Sequence, residues 1–424
     1  MTHDGKGVAR RPDGKAVFVT GALPDERVMV QQTGKNRNFD DAKCVEVLDA
    51  SPHRVEPRCP HFGICSGCTL QHMDVEQQII AKQQVLFDNL TRIGHVEAER
   101  VLPPLVADHW NYRRKGRFSV RRVEKKDRTL VGFRELQDSR FVADIDSCDT
   151  VLASISELIA PLKQFIETLE GKRDIPQVEF CAGDRAKAFT VRHLQPLSTS
   201  DREAWIAFGK QHDVSIFLQP GGPNTVTPLW PESTDLSFDL KPWNVNLAFK
   251  PLDFIQVNGR LNEMMIERAL ELLDVQPTDR VLDLFCGLGN FTLPLATCVA
   301  EVVGVEGDVP LVEAARANAQ RNELSNAQFH VANLAEDMRH HPWMRQSFNK
   351  LLLDPPRSGA DFCLTQLDLE PFERIVYVSC HPASLARDAG YLVNDKGWKL
   401  KAAGVMDMFP HTGHVESIAL FERS

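Results

Sequence analysis

The chain has 424 residues, of which 43% are hydrophobic and 25% are charged, and its formal net charge is -9 at pH 7. This length exceeds what one hydrophobic core comfortably serves, so we expect two or three domains of ordinary globular composition. The negative charge argues against a protein that coats nucleic acid without specificity. No apolar run approaches the roughly 18 residues of a membrane span, and the first residues lack the apolar core of a signal peptide. We therefore expect a cytoplasmic protein that has no membrane segment, is a monomer and needs no obligate protein partner.

Residues 1–52 read as short strands separated by turn signals. Alternating runs such as "AVFVTG" and "AKCVEVLDA" are typical of half-buried strands, and "PDGK" is typical of a tight turn. Several short strands at regular spacing predict a small β-barrel.

Residues 57–73, "PRCPHFGICSGCTLQHM", are rich in Gly, Pro and Cys and predict an irregular loop. In a reducing compartment, the ten cysteines of the chain are metal ligands, catalytic thiols or core residues rather than disulfides. Cys59, Cys65 and Cys68 have the spacing of metal ligands, and this spacing alone leaves zinc and an iron-sulfur cluster equally open. The remaining unpatterned thiols are expected in cores, namely Cys44, Cys181, Cys286, Cys298 and Cys363.

A helix is predicted over 74–94, with Asp74 as its N-terminal cap. We expect it to pack on the carboxyl-terminal domain over 246–424. The remainder of a central domain over 53–245 mixes strands with a helix near 151–170. Residues 112–128 hold nine Arg or Lys against one Glu and one Asp. A solvated hairpin face and an RNA-binding face both explain such a run. As a hypothesis, the substrate contacts here are Arg113, Arg114, Lys115, Arg117, Arg121 and Arg122.

Residues 246–424 alternate strands and helices, which predicts a Rossmann-like, doubly wound parallel sheet of the α/β class. Candidate strands include "RVLDLFC", "EVVGVEG", "KLLLDPP" and "RIVYVSC". The last two strands, "KLKAAGVMDMF" and "VESIALFER", have no helix between them, so we expect the sheet to end in an antiparallel pair.

A ligand site is predicted where "VLDLFCGLGN" turns from strand to helix. Gly287 and Gly289 allow a ligand to approach the backbone closely. Thr292 stands where a dinucleotide site needs a third glycine, and Asp283 inside the strand suits a cationic sulfonium better than a phosphate. Glu306, at the end of the next strand, is placed to accept hydrogen bonds from both ribose hydroxyls. Together these residues favour S-adenosylmethionine over NAD.

The segment "LLLDPPRSG" brings Asp354 to the end of a buried strand, and two prolines stiffen the loop that follows. Arg357 stands where amine methyltransferases carry an aromatic residue, and a guanidinium suits a phosphate or a carbonyl better than it suits stacking.

Cys380 ends the strand "RIVYVSC". Such a thiol is usually a small core residue, but at the carboxyl edge of a parallel sheet beside a methyl donor it has a use. Addition of a thiolate to C6 of uracil makes C5 reactive toward the donor, and a base must then remove the C5 proton. Glu416 begins the last strand behind a turn at Gly413 and is the carboxylate available for that role.

Five segments carry a resemblance: "FIQVN", "DLFCGLGNFTLPLA", "LLLDPPRSG", "VSCHPASLARD" and "MFPHTGHVES". Together they resemble the RNA uracil-C5 methyltransferase family over nearly the whole chain. The resemblance implies a class I S-adenosylmethionine-dependent methyltransferase fold at 246–424, a TRAM-like (OB-like) barrel at 1–52 and an α+β iron-sulfur domain at 53–245.

The resemblance also implies the roles of individual residues. The nucleophile falls on Cys380 and the proton-abstracting base on Glu416. A 4Fe-4S cluster is implied, with Cys148 as a distant fourth ligand beside Cys59, Cys65 and Cys68. The implied cofactor contacts are Gln256, Phe285, Asn290, Glu306, Asn333 and Asp354. Phe254 is our own hypothesis for packing on a flipped uracil.

The barrel and the cysteines are most similar to members of the family that act on 23S rRNA, so 23S rRNA is the expected partner. A tRNA uracil-C5 methyltransferase is the alternative within the fold. A noncatalytic iron-sulfur RNA-binding protein or redox sensor is the alternative of another class. Two departures from the family pattern stand out: the chain begins inside what looks like the first barrel strand, and His381 replaces a common Asn after the nucleophile.

Overall fold

The computed structural model describes residues 1–2 and 4–423. Its strands form four sheets in the described residues. The largest belongs to the carboxyl-terminal half and holds the candidate site at one edge.

The amino-terminal segment forms a four-stranded sheet of order β1-β2-β4-β3. Strands β2 and β4 are parallel, and the other neighbours are antiparallel. In the described residues the edge strands β1 and β3 do not pair with each other, so the predicted barrel is seen as an open sheet with a small core of Val19, Ala22 and Ala42. The strands are β1 Gly7–Arg10, β2 Ala16–Thr20, β3 Arg27–Lys35 and β4 Phe39–Asp49.

The central part begins with helix α1, Val75–Asn89, which continues as a π-helical turn over Leu90–Gly94. As predicted, Asp74 caps this helix, because its side chain accepts from the backbone N–H groups of Glu76 and Gln77. A six-stranded sheet of order β11-β10-β9-β8-β6-β7 follows. Its elements are β6 Lys115–Val123, β7 Arg128–Gly132, α2 Ala153–Ser156, α3 Ile159–Thr168, β8 Gln177–Ala182, β9 Lys187–Arg192, α4 Thr199–His212, β10 Ser215–Gln219 and β11 Thr227–Trp230.

The carboxyl-terminal sheet has eight strands in the order β16-β15-β14-β17-β18-β20-β19-β5. Strands β14 to β18 are parallel and β19 and β20 are antiparallel, which confirms the predicted doubly wound sheet and its closing pair. The strands are β14 Arg280–Leu284, β15 Glu301–Glu306, β16 Ala327–Val331, β17 Lys350–Leu353, β18 Arg374–Ser379, β19 Trp398–Met406 and β20 Glu416–Arg423. The helices are α5 Gly259–Leu273, α6 Thr292–Ala296, α7 Val309–Arg321, α8 Asp361–Gln366 and α9 Pro382–Gly390.

Parts of the predicted central domain pack with this sheet instead. Strand β5, Arg100–Val101, pairs with β19 and extends it. The hairpin of β12, Ser237–Leu240, and β13, Val245–Ala248, buries Phe238 and Leu247 in the carboxyl-terminal core. The predicted boundary at 245/246 therefore falls inside β13, because the hairpin side chains find their apolar partners on the far side of it.

Helix α1 also lies against the carboxyl-terminal sheet, and its end meets α9 closely. A Cβ atom on Gly94 would stand 2.4 Å from the carbonyl oxygen of Ala386. Only glycine allows this approach, and the Gly94 carbonyl in turn accepts from the Asn394 side chain at 3.0 Å. Among the described helices, none combines the length and the apolar character that a bilayer crossing requires.

Candidate active site

Cys380 and Glu416 lie at the same end of two paired strands. Ser379 of β18 is in register with Ser417 of β20, and the pair is antiparallel. Cys380 directly follows β18, and Glu416 is the first residue of β20, so both lie at the same edge of the sheet. Their roles in a reaction stay predictions.

The thiol and the carboxyl lie in an acidic, half-buried setting. Burial raises the pKa of Cys380 to about 11, and the charges of Glu416 and Asp354 add to this while Arg357 opposes it. Burial likewise raises the pKa of Glu416 to about 8, with Asp354 adding to the shift and Lys82 and Arg357 opposing it. A cation placed among these groups would favour their ionised forms.

The turn after β14 forms the neighbouring part of the site. Phe285 adopts φ +67°, Gly287 φ +54° and Gly289 φ +91°, so alternate residues of this turn lie in the left-handed region. No atom would lie within 4 Å of a Cβ on Gly287, which leaves open space above the backbone. Glu306 stands over the turn, because its carboxylate accepts from the Gly287 N–H at 3.2 Å.

Two aspartates, Asp283 and Asp354, make this edge of the sheet acidic. Asp283 is fully buried; it accepts from the Thr292 hydroxyl at 2.5 Å, and its second oxygen has no partner among the described residues. Burial raises the pKa of Asp283 to about 8 and that of Asp354 to about 7. An unpartnered buried carboxyl oxygen and a half-buried aspartate fit a positively charged ligand such as a sulfonium and an amino group.

Asparagine side chains frame the same site. The side-chain amides of Asn262 in α5 and Asn290 exchange two hydrogen bonds of 2.9 Å, which fixes Asn290. Asn333 follows β16, and its amide donates to Glu336 at 2.8 Å. Asn262 was absent from the sequence prediction, although its helical spacing from Asn258, the cap of α5, was a usable signal.

The start of β6 holds the "FIQVN" segment in place. The Arg114 N–H donates to the Val257 carbonyl at 3.0 Å. The Lys115 ammonium donates to the carbonyls of Pro251 and Asp253 at 2.8 and 2.5 Å. These contacts fix the segment that carries Gln256, and Phe254 in the same segment is 69% exposed.

Three of the six cations of the basic run that we predicted to contact RNA have partners within the protein. Lys115 is used up on the two carbonyls, and Arg114 is ion-paired with Asp184 at 3.4 Å. The Arg122 side chain is 7% exposed and pairs with Glu167 at 3.1 Å. Long-range partners that the local sequence does not reveal occupy these three cations.

The other three cations remain at the surface or in the cleft. Arg117 is 61% exposed in its pair with Glu179, and Arg121 lies over the Phe141 ring. Arg113 lines the cleft with its guanidinium over Phe409.

Helix α9 fixes the groups next to Cys380. His381 caps this helix: its Nδ1 lies 2.7 Å from the Ser384 hydroxyl and 3.3 Å from the Ser384 N–H. That hydroxyl donates to the Arg357 carbonyl at 2.5 Å. The Arg357 guanidinium lies 3.4 Å from His414 Nδ1, at the mouth of the site.

A cleft of about 1030 Å³ connects Cys380 to the amino-terminal sheet. Cys380, Arg357 and His414 line one end, and Lys6 and Lys43 line the other. The wall between them is the cysteine loop, with Phe62 and Thr69. A nucleic-acid strand in this cleft would contact all three parts of the chain.

The four predicted cluster cysteines meet in one small pocket beneath that wall, lined also by apolar residues. Burial raises the pKa of Cys65 to about 11 and that of Cys68 to about 12, and the charges of Cys59 and Cys148 act on both. Among residues 1–2 and 4–423, no set of three or more His, Cys, Asp or Glu side chains stands ready to hold a single metal ion. The pocket nevertheless fits a group bound by four thiolates, since buried thiols ionise only beside positive charge.

The cysteine loop and α1 contact the segment 407–415 that leads into Glu416. The N–H groups of Thr69 and Leu70 both donate to the His411 carbonyl at 2.9 Å, and the Gly413 N–H donates to the Thr69 hydroxyl at 3.1 Å. The Gln78 side chain accepts from the His411 N–H at 2.9 Å. The sequence prediction missed these residues, since no local pattern marks such long-range partners.

Comparison with known proteins gives the family. The tRNA (Uracil-5-)-methyltransferase family model matches residues 243–424. The 23S rRNA (uracil(1939)-C(5))-methyltransferase RlmD of Xanthomonas euvesicatoria is 65% identical over 100% of this chain and 96% of its own. The chain belongs to the RNA uracil-C5 methyltransferase family. A second relative, the RlmD of Stenotrophomonas maltophilia strain K279a, is 66% identical to this chain with the same coverage.

A solved structure supports the fold. The Pyrococcus abyssi tRNA (uracil-54, C5)-methyltransferase, solved in complex with S-adenosyl-L-homocysteine, has a TM-score of 0.73 to this chain at 24% identity. The match covers 98% of this chain and 100% of the other. The two proteins therefore share their fold over nearly the whole chain and not only in the carboxyl-terminal sheet.

Proposed function

We propose that this protein methylates C5 of a uridine in 23S rRNA, with Cys380 as nucleophile and Glu416 as base. The observation that supports the proposal is the pairing of β18 with β20, which brings Cys380 and Glu416 to the same sheet edge. There the charges of Glu416 and Asp354 act on the thiol. Full-length similarity to relatives named for uracil 1939 of 23S rRNA supports the substrate, and the equivalent uridine is the proposed target.

The reaction needs both residues because C5 of uracil is a weak nucleophile. The Cys380 thiolate adds to C6, and the resulting enolate accepts the methyl group at C5 from S-adenosylmethionine. Glu416 then takes the C5 proton, the C5–C6 double bond reforms, and the C6–S bond breaks to free the thiolate and 5-methyluridine. The base must leave its stack to expose C6, which costs a few kcal/mol.

The donor would lie along the carboxyl edge of β14, β15 and β17. The open backbone at Gly287 and the unpartnered oxygen of Asp283 support a cationic methyl donor there. The proposed contacts are Gln256, Phe285, Gly287, Gly289, Asn290, Glu306, Asn333 and Asp354. For the uracil and its strand, the proposed contacts are Phe254, Arg357, Arg113, Arg117 and Arg121.

Trapping tests the mechanism. With RNA that carries 5-fluorouridine, C5 has no proton to lose, so the wild-type enzyme should form a stable covalent adduct. Cys380→Ala should form none, whereas Cys363→Ala, which alters a buried core thiol, should behave as wild type. Fragments of 23S rRNA should be methylated and purified tRNA should not; the reverse result would assign the tRNA activity instead.

We further propose that Cys59, Cys65, Cys68 and Cys148 hold a 4Fe-4S cluster. All four cysteines line one small pocket, which supports this assignment. When bound, the cluster would supply positive charge that stabilises the four thiolates. Iron and sulfide analysis of anaerobically purified protein tests this; zinc at one equivalent without iron would refute it.

A further inference from the structure

Lys82 is a buried cation on α1 that reaches into the carboxyl-terminal half. Its side chain is 1% exposed, and its ammonium donates to Asp407 at 2.6 Å and to the Phe409 carbonyl at 3.0 Å. Asp407 and Phe409 lie just after β19, at the start of the segment 407–415. That segment leads directly into Glu416, the first residue of β20.

Stability alone does not explain such a pair. Taking two charges out of water costs several kcal/mol per ion, so apolar residues of similar size serve a helix-to-sheet contact as well or better. The position of Lys82 is informative, because its charge acts on Glu416, His411 and His414. The other charged groups that act on Glu416 are Asp354, which follows β17, and Arg357 in the next loop.

We propose that Lys82 is a positioning residue for the proton-abstraction step. Through Asp407 and the Phe409 carbonyl it fixes the segment that leads into Glu416. The inference rests on the proposed function of Glu416 as the base.

The order of the reaction makes this testable. Addition of the Cys380 thiolate and methyl transfer both precede loss of the C5 proton. A defect confined to Glu416 therefore leaves adduct formation intact and slows its resolution. A general loss of folding or of RNA binding would slow both steps together.

The experiment uses the full-length protein and three variants. Lys82→Met keeps the apolar stem and removes the charge. Lys82→Met combined with Asp407→Leu removes both charges, which restores stability when each single change leaves a buried partner unpaired. Lys399→Met, at an exposed position of β19, is the matched control.

Single-turnover reactions on a 23S rRNA fragment are followed by denaturing gels, with melting temperature measured in parallel. Lys82→Met should form the adduct with 5-fluorouridine RNA at the wild-type rate. With ordinary RNA it should release product at least about tenfold more slowly, as expected for an impaired general base, and accumulate adduct. The double variant should recover the melting temperature without recovering release.

Recovery of release together with stability in the double variant would overturn the proposal, since Lys82 would then act only through folding. Equal losses of adduct formation and release in a double variant of wild-type stability would overturn it as well. Failure of the wild-type enzyme to form any 5-fluorouridine adduct would instead count against the proposed function itself.

Discussion

The backbone N–H of Leu70 donates to the carbonyl oxygen of His411 across 2.9 Å. Leu70 lies two residues after Cys68, the last ligand of the proposed cluster loop, and His411 lies in the segment that leads to Glu416. The Leu70–His411 hydrogen bond thus links the cysteine loop to the segment that leads to the proposed base. Whatever orders the cysteine loop also orders the approach to Glu416.

Loss of the group held by the cysteines should therefore loosen the segment 407–415. Metal-chelated protein, or Cys68→Ser protein, should show faster amide hydrogen exchange in peptides covering 409–415, because the donors Thr69 and Leu70 lose their fixed positions. Cys363→Ala, which changes a buried thiol elsewhere in the sheet, is the control. Unchanged exchange at 409–415 in cluster-free protein would contradict the coupling.

His381 should act on α9 rather than on the thiol. Its Nδ1 is engaged by Ser384, in the manner of a helix cap. Asparagine is also a good cap, so His381→Asn should change the free energy of unfolding by less than about 0.5 kcal/mol, whereas His381→Ala should cost about 1 kcal/mol. The pH dependence of Cys380 alkylation should be the same in His381→Asn as in wild type; a shift would show that the ring tunes the thiol.

Two substitutions in the basic run, Lys115→Met and Arg117→Ala, should distinguish a structural role from RNA binding. Lys115→Met removes the donor to the carbonyls of Pro251 and Asp253, which leaves them unsatisfied; we expect about 1–3 kcal/mol of destabilisation and weaker methyl-donor binding. Arg117→Ala breaks an exposed pair worth about 0–1 kcal/mol. It should leave donor affinity unchanged and lower the salt dependence of RNA binding. Calorimetric titration with the methyl donor, and RNA titrations at two salt concentrations, distinguish the two variants.

The contrast between these residues shows how far sequence reasoning reaches. Strand-end positions follow from local pattern, so Cys380, Asp354 and Glu416 are predictable as neighbours once the alternation of strands and helices is read. The role of Lys115 depends on carbonyls far along the chain, and that of Lys82 on Asp407 in the other half of the chain. Pairings of this kind have no periodicity, so they emerge only when the fold brings the segments together.

The same limit explains why the predicted boundary at 245/246 cuts through β13. The Pro/Gly-rich stretch before β12 resembles a linker, but Phe238 and Leu247 of the following hairpin bury their side chains in the carboxyl-terminal core. Composition marks where a chain turns, whereas the location of a domain edge depends on which apolar surfaces meet.

Binding of the methyl donor should release protons. In the ligand-free protein, burial raises the pKa of Asp354 to about 7 and that of Glu416 to about 8, so both carboxyls are largely protonated at pH 6.5, a value chosen below both. A sulfonium and an amino group placed beside Asp354 favour the ionised carboxylates, which lowers these pKa values toward the ordinary range.

Calorimetric titration with S-adenosylmethionine, repeated in buffers of different ionisation enthalpy, measures this directly. Protons should be released when the donor binds near neutral pH, and their number should fall toward zero as pH rises above both pKa values, where the carboxyls are already ionised. Glu416→Gln should reduce the release without abolishing binding, because the amide carries no titrating proton. Release that grows with rising pH, or none at neutral pH, would contradict the assignment of these carboxyls to the donor site.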